Sequence, residues 1–422
     1  MSLEASLTHR CCPACGNRVG GATITKLSLR TPDGHPLQGG YTIVSCSVCG
    51  CGFADVAVPT SYYDHYYSGL AKYAGEITVY ATRRGYKAGF PAPLTESAWL
   101  LAKADDSAQR IDTLLTSRTA RVLDVGCATG SLLAALGRIG YTDLHGVDPS
   151  ADSIRIANSR PGIHAEVGLF SSLPAGLGTF DLICVTGVFE HLWDVDLVVD
   201  SLRPLLRPSG VLYVEVPDAS RYLDPYVSPY EDFSTEHVNH FSFSCLRRLA
   251  ARLGMETISE ISYESPLTPL VVTSFIAVAW TKGMLSNSEE TRDTGLEAKL
   301  IAFAERSERD LGQIAETLER GLGSSSAYII WGIGETAFKL LPLPSLASRN
   351  AEAFVDSNPS RWGFRFGGVP VIAPTEITSS TLPIVVSSLI RADSIVAAAS
   401  QLGLSNPMVS LDRWQKSARS LQ

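Results

Sequence analysis

The sequence lacks the features of a membrane or secreted protein. Over 422 residues, no apolar run approaches the roughly 18 to 20 residues needed to span a bilayer. The first residues also lack the charged and then apolar pattern of a secretory signal. Basic residues are not in excess, since 35 lysines and arginines stand against 43 aspartates and glutamates, a formal net charge of -8. This balance argues against broad binding to nucleic acid or anionic membranes. We therefore expect a cytoplasmic protein with neither as a partner.

The sequence also shows no internal repeat and no low-complexity tract. Hydrophobic residues make up 45% and charged residues 18%, which is typical of a globular protein. The length allows two or three domains. Strand-like and helix-like segments alternate through the middle of the chain and again near its end, which predicts an α/β fold with parallel sheets. The predicted domains are residues 1–70, 71–285 and 286–422, the last beginning with a polar helical stretch.

Six of the nine cysteines lie between Cys11 and Cys51, which favours a metal site over disulfides in a reducing compartment. Two Cys-x-x-Cys pairs about 30 residues apart predict a tetrahedral zinc site closed by four thiolates. Its predicted ligands are Cys12, Cys15, Cys46 and Cys49. A hairpin between the pairs accounts for the long spacing. The alternative is a set of free buried thiols. Cys11 and Cys51 could also take the place of a neighbouring cysteine as metal ligands. A catalytic zinc is disfavoured because four cysteine ligands leave no open position.

A strand, a glycine turn and a helix start follow one another at Val122–Gly130. Gly126 and Gly130 let the backbone pass close to a ligand. The dinucleotide fingerprint Gly-x-Gly-x-x-Gly fails here at Ala128 and Ser131, which makes a pyrophosphate site less apt. The turn, with Asp124 before it, instead resembles motif I of the class I methyltransferases, which use S-adenosylmethionine (SAM). The chain departs from that motif only at Ala128.

Three later segments occur in the order that this resemblance implies. The strand Leu144–Asp148 ends in an acid that can accept hydrogen bonds from both ribose hydroxyls. Phe170 is placed to stack on adenine, although it could equally be a core residue. The apolar strand Phe180–Gly187 is followed by Glu190 and His191, which the resemblance places beside the reactive sulfonium. The predicted SAM-binding residues are Asp124, Gly126, Gly130, Asp148, Phe170, Glu190 and His191.

The pair Glu236–His237 follows a tyrosine-rich loop, and here the whole chain resembles the sugar-nucleotide C-methyltransferases. In that family a zinc-binding module, a class I methyltransferase domain and a C-terminal Rossmann-like domain share one chain. The resemblance implies that His237 removes a proton beside a keto group of a nucleotide-linked deoxysugar, with Glu236 as its neighbour. A histidine suits this role because its pKa lies near neutrality. His191 and His240 are better explained as structural or pocket-lining residues.

Two departures from the family leave O- or N-methylation of a sugar or another small metabolite open. Ser234 stands where the best-known members carry a tyrosine, and the segment Ser61–Tyr73 is only loosely similar to theirs. A second glycine turn at Gly332–Gly334, with Asp356 after the next strand, opens the C-terminal domain. The resemblance implies that this domain helps to hold the sugar nucleotide. A purely structural role and NAD binding are the alternatives.

Two other functional classes are weaker. A zinc ribbon that binds RNA or protein is one alternative, but the acidic balance and the absence of a lysine- and arginine-rich stripe around the cysteine pairs argue against nucleic acid. A bifunctional enzyme with a C-terminal NAD-dependent reductase rests on the second glycine turn, with Ala337 at the third fingerprint position, and on Asp356; it ranks lower because the resemblance implies no redox role for this domain.

Overall fold

The computed structural model describes residues 8–56, 58, 98–268, 271–283, 291–377, 381–389 and 392–411, apart from residues 19, 171 and 227. The predicted domain boundaries after residues 70 and 285, and the segment Ser61–Tyr73, lie outside the described residues. The described part of the chain forms three β-sheets. None of its helices has the length and apolarity that a bilayer crossing requires.

The first sheet is antiparallel and has four strands. They are β1 (Gly20–Leu27), β2 (Tyr41–Cys46), β3 (Gly52–Asp55) and β9 (Asn239–His240), in the order β1-β2-β3-β9. The first two form the hairpin predicted between the cysteine pairs. The fourth comes from far along the chain and was not predicted: Gly52 lies opposite His240, and Phe53 opposite Asn239. The N-terminal segment is therefore joined directly to the loop that carries His237.

The central sheet has seven strands. They are β4 (Arg121–Val125), β5 (Asp143–Asp148), β6 (Ile163–Val167), β7 (Phe180–Thr186), β8 (Leu206–Pro217), β10 (Met255–Thr268) and β11 (Val271–Lys282). The order is β10-β11-β8-β7-β4-β5-β6, with β4 to β8 parallel to one another and β11 antiparallel to its two neighbours. The middle strands are apolar and almost fully buried, as expected for a sheet covered on both faces.

Helices accompany this sheet. They are α1 (Ala98–Asp112), α2 (Ser131–Arg138), α3 (Ala151–Ala157), α4 (Val195–Leu202) and α5 (Phe243–Arg252). Because the carboxyl ends of parallel strands meet at one edge of a sheet, the loops after β4, β5 and β7 lie together there. This edge carries the predicted donor-binding residues.

The C-terminal part begins with the long helix α6 (Thr294–Leu322), in the stretch predicted to be helical. A six-stranded sheet follows, in the order β14-β15-β13-β12-β16-β17. Its strands are β12 (Ala327–Trp331), β13 (Asn350–Val355), β14 (Arg365–Phe366), β15 (Val369–Ile372), β16 (Ile384–Val386) and β17 (Met408–Ser410). Its helices are α7 (Glu335–Leu340), α8 (Pro344–Ala347) and α9 (Ala392–Gln401). All its strands except β14 are parallel, which matches the predicted Rossmann-like character.

Candidate active site

The glycine turn after β4 is hydrogen-bonded to β5 and packs closely against Val188. The Gly126 N–H donates to the carbonyl of Val147 at 2.8 Å, and its φ of 83° is one that side chains rarely adopt. A Cβ on Gly126 would lie 2.6 Å from Cγ2 of Val188. Ala128 also has a positive φ, 45°. Only glycine fits the first of these positions, and the second is an unusual conformation for alanine.

Asp148 lies at the end of β5 and is held by this turn. One carboxylate oxygen accepts the Ala128 N–H at 2.9 Å, and the other accepts the Ser150 N–H at 2.8 Å. Burial raises the pKa of Asp148, while these two hydrogen bonds partly oppose the shift. A carboxylate oxygen has two lone pairs, so each can still accept a hydrogen bond from a ribose hydroxyl. The arrangement fits the predicted ribose site.

Asp124, the last but one residue of β4, is 2% exposed. Its Oδ1 has no hydrogen-bond partner among the described residues. Burial, and then the charges of Asp148 and Glu215, raise the pKa of Asp124 to about 7. A buried carboxylate oxygen without a partner costs free energy, and a cationic ligand group would relieve that cost. The α-ammonium of SAM is such a group, so the residues present fit this donor.

Phe170 lies directly against the glycine turn. A Cβ on Gly126 would be 3.5 Å from the Phe170 ring. The ring is partly buried and packs at the margin of the main core. The sequence left stacking on adenine and core packing open, and this position is compatible with both.

Glu190 and His191 follow β7, and His237 packs against them. Glu190 Oε1 lies 3.8 Å from Nε2 of His191. The rings of His191 and His237 meet edge to face, with 4.8 Å between their centroids. The Glu190 carbonyl accepts the Val238 N–H at 2.8 Å, which ties the two segments together. The structure thus brings the predicted base to the edge of the sheet that carries the predicted donor-binding residues.

The loop around His237 is held from within by Ser234. Its hydroxyl accepts the N–H groups of Glu236 at 3.2 Å and His237 at 3.0 Å. Ser234 stands where the similar family has a tyrosine, and here it shapes the loop. Nearby, Tyr222 contacts Nδ1 of His240 at 3.1 Å. Burial, and then the charge of Arg10, lower the pKa of His240 to about 3, so it stays neutral near pH 7.

The C-terminal part holds the same loop from outside. The Glu335 carboxylate on α7 accepts the backbone N–H of Thr235 at 3.1 Å and also its hydroxyl. Lys339, 4% exposed, donates to the carbonyl of Tyr230 at 2.5 Å. Glu236 is close enough to raise the pKa of Glu335, although burial is the larger cause of that shift. Sequence reasoning missed Glu335, Lys339 and Thr235, because no local pattern marks a contact across about 100 residues.

The four predicted zinc ligands form one cluster. Their sulfurs lie within 4.8 Å of one another. The pairs Cys12–Cys49 and Cys15–Cys46 are each 3.5 Å apart. Zn–S bonds of about 2.3 Å in a tetrahedron place sulfurs about 3.8 Å apart, so the cluster fits zinc. Cys11 is exposed, and Cys51 points towards the His240 carbonyl at 3.7 Å. The register of the predicted ligands therefore agrees with the geometry.

The second glycine turn repeats the arrangement of the first. Asp356 Oδ2 accepts the Ile333 N–H at 2.7 Å, and Oδ1 accepts the Asn358 N–H at 2.7 Å. Gly332 has a φ of 103°. In addition, Arg361 donates to Asp356 Oδ2 at 3.0 Å. This guanidinium takes one of the lone pairs that a ribose would need, which disfavours the NAD alternative. The role of the domain stays a prediction.

Comparisons with known proteins support a methyltransferase. A family model described as a methyltransferase domain matches residues 101–260. The ubiquinone biosynthesis O-methyltransferase of Rhizobium rhizogenes is 34% identical over 100 residues, covering 22% of this chain and 40% of that protein. The Rhizobium etli protein of the same name is 32% identical over 99 residues, with the same two shares covered. The chain thus covers about two fifths of the length of these relatives.

Solved structures of methyltransferases are also similar. A SAM-dependent methyltransferase from Methanosarcina mazei is 19% identical, with a TM-score of 0.36, and the match covers 42% of this chain and 97% of that one. The family match and the observed sheet confirm the predicted class I Rossmann-like methyltransferase fold and the predicted enzyme class.

Proposed function

With a class I methyltransferase domain in the chain, we propose that the enzyme transfers the methyl group of SAM to a carbon of a nucleotide-linked keto-deoxysugar, with His237 as general base. One observation carries this proposal: the loop with His237 packs on Glu190 and His191, which follow closely after Val188, the residue that packs against Gly126 of the glycine turn. Asp124 and Asp148 would hold the donor through its ammonium and ribose groups. Gly126, Gly130 and Phe170 would line the adenosine.

SAM supplies an electrophilic methyl group on a sulfonium. His237 takes the proton from the carbon beside the ketone, and the C–H electron pair becomes that of the enolate. The enolate carbon then forms the new C–C bond as the S–CH3 bond breaks, leaving S-adenosylhomocysteine. A histidine can accept and release the proton near neutral pH. Glu236 precedes this base in the chain and is its predicted neighbour at the site.

A nucleotide-linked acceptor is supported by the organisation of the chain. The three parts expected from the resemblance meet at the loop of His237: β3 pairs with β9, and α7 contacts Thr235. A small acceptor such as a quinol would need no second Rossmann-like unit beside the base. In the C-terminal unit the Gly332 and Ile333 N–H groups donate to Val355 and Asp356, so a diphosphate would be left with the amides at the start of α7.

Deuterium exchange tests the enolisation directly. A panel of TDP-, GDP- and CDP-linked keto sugars would be incubated with the wild type in D2O without SAM and examined by NMR. The sugar that is the substrate should exchange deuterium into the position beside its ketone. His237→Ala should abolish exchange and lower turnover by roughly 10² to 10⁴. Its affinity for S-adenosylhomocysteine should stay near that of the wild type. His164→Ala, an exposed change on β6, is the matched control. Normal exchange in His237→Ala would remove this residue from the mechanism.

O-methylation is a second candidate, favoured by the names of the curated relatives. Their similarity spans only 22% of this chain. A hydroxyl acceptor requires a base but no enolisable hydrogen. Methylation of a sugar or another small metabolite that carries no ketone, with no deuterium incorporation, would establish this candidate instead.

A further inference from the structure

Glu190, His191 and His237 form a second group of metal-ligating side chains, separate from the four cysteines. One potential ligand atom from each lies within 4.8 Å of the other two. Glu190 is 4% exposed and the two histidines are partly buried. Two imidazoles and one carboxylate are a recognised donor set for late first-row divalent cations.

The hydrogen bond of His191 fixes which of its nitrogens faces Glu190. Nδ1 lies 3.1 Å from the carbonyl oxygen of Glu236. Because a carbonyl can only accept, Nδ1 carries the proton and donates it. In the neutral ring, Nε2 then presents a lone pair towards the Glu190 carboxylate, 3.8 Å away. Two electron-rich atoms that face each other are stabilised by a positive charge between them. A backbone carbonyl on the far nitrogen is also the usual support of a metal-binding histidine.

Glu190 provides an independent observation. Its Oε2 is buried and has no hydrogen-bond partner among the described residues. Burial raises the pKa of Glu190, whereas a positive charge on His191, present only when that ring is protonated, and the charge of Lys103 lower it. Lys103 lies 3.3 Å from Glu215, so its charge is largely engaged elsewhere. A cation at the carboxylate would satisfy the buried oxygen.

We propose that Glu190, His191 and His237 bind one late first-row divalent cation, with Zn²⁺ or Co²⁺ as the matching ions, and that this cation inhibits the enzyme. Coordination occupies a ring nitrogen of His237 and blocks its use as a base. The inhibition rests on the proposed function, whereas the binding does not. Mg²⁺ prefers oxygen ligands and should bind poorly here. The cysteine cluster offers only sulfur and should keep its own zinc.

Cobalt titration of the full-length, zinc-replete protein tests the site. We expect one further equivalent of Co²⁺, with visible d–d bands and no thiolate-to-cobalt charge-transfer band. His191→Ala and Glu190→Gln should each weaken Co²⁺ binding at least about tenfold, the usual scale for lost ligands or their supports. His164→Ala should bind as the wild type does. Retained zinc content and a normal circular dichroism spectrum would show that the variants fold.

Two outcomes would overturn the inference. One is the absence of any cobalt equivalent beyond the cysteine cluster, and the other is unchanged affinity in the folded His191→Ala and His237→Ala proteins. Turnover measured in parallel separates this inference from the proposed function. Stoichiometric Co²⁺ should lower turnover, and a chelator should restore it. Cobalt that binds at these residues without inhibition would contradict His237 as the base and leave the metal site standing.

Discussion

At the scale of single residues, the predicted donor pocket contains a carboxylate, Asp124, that is buried and therefore unfavourable in its charged form. Asp124 has a pKa of about 7 against an ordinary value of 3.8, mainly because it is buried. Between about pH 4 and pH 7 the folded protein holds a proton there that the unfolded chain releases. The bound proton therefore favours the folded state at low pH, and the free energy of unfolding falls as the pH rises through this range. Three pKa units correspond to at most about 4 kcal/mol.

Asp124→Asn should remove this pH dependence. Without donor, the wild type should lose up to a few kcal/mol of its free energy of unfolding between pH 5 and pH 8, and the variant should not lose this amount. SAM should bind more weakly at pH 8, because the charge that meets its ammonium is gone. Urea unfolding at the two pH values and calorimetric titration of SAM measure both effects. Asp200→Asn, on the exposed face of α4, is the control. Parallel pH profiles for the two variants would contradict the assignment.

At the scale of secondary-structure elements, backbone and side-chain hydrogen bonds hold the loop of His237 from two sides. β3 follows the second cysteine pair directly and pairs with β9, and the Ala54 N–H donates to the carbonyl of Val238 at 2.9 Å. On the other side, α7 places Glu335 on Thr235. The cysteine cluster and α7 are therefore both linked to the loop that carries His237.

Loss of the zinc site should reduce turnover more than donor binding. Cys49→Ser should lower the zinc content and speed amide hydrogen exchange at Ala54 and Val238, because β3 is no longer anchored at its start. The affinity for S-adenosylhomocysteine should change little, since its predicted ligands belong to the central sheet. Cys11→Ser, which changes an exposed cysteine outside the cluster, should keep its zinc. Equal loss of donor affinity and turnover would argue for general unfolding instead.

Glu335 should act as a positioning residue. Glu335→Ala should lower kcat by up to about 10², the typical effect of a small misplacement of a reacting group, and leave KM for SAM nearly unchanged. Glu335→Gln can still accept the Thr235 N–H and should recover most of the loss. Glu352→Ala, an exposed change on β13, provides the baseline. If the glutamine and alanine variants are equally impaired, the charge of Glu335 matters and its hydrogen bond does not.

At the scale of the whole molecule, local sequence patterns predicted the methyltransferase fold and the glycine turn, but not the contacts that hold the loop of His237. The turn from Asp124 to Gly130 combines strand, glycines and helix within a few residues, so its chemistry can be predicted from sequence. The cysteine pairs are equally compact. The partner of β9 and the contacts of Glu335 join residues separated by about 190 and 100 positions. Such contacts depend on tertiary packing, which leaves no periodic signal in the sequence.

The N-terminal and C-terminal parts also touch each other. The Asp33 carboxylate accepts the N–H groups of Gly367 and Gly368 at 2.7 and 2.9 Å, and the Arg30 N–H donates to the carbonyl of Phe338 at 2.9 Å. Together with β9 and α7, these contacts close a ring of interactions around the loop of His237.

The loop of His237 is held by β3 on one side and by α7 on the other, and both lie outside the strands of the central sheet. Within the described residues, no hydrogen bond joins α7 to the strands that carry the predicted donor ligands, so we expect substitutions in α7 to change the proposed acceptor pocket while SAM continues to bind. New methylation specificities could therefore arise by exchange of the outer parts around a constant catalytic centre. Variation among natural relatives should then concentrate in α7 and in the loop between β1 and β2.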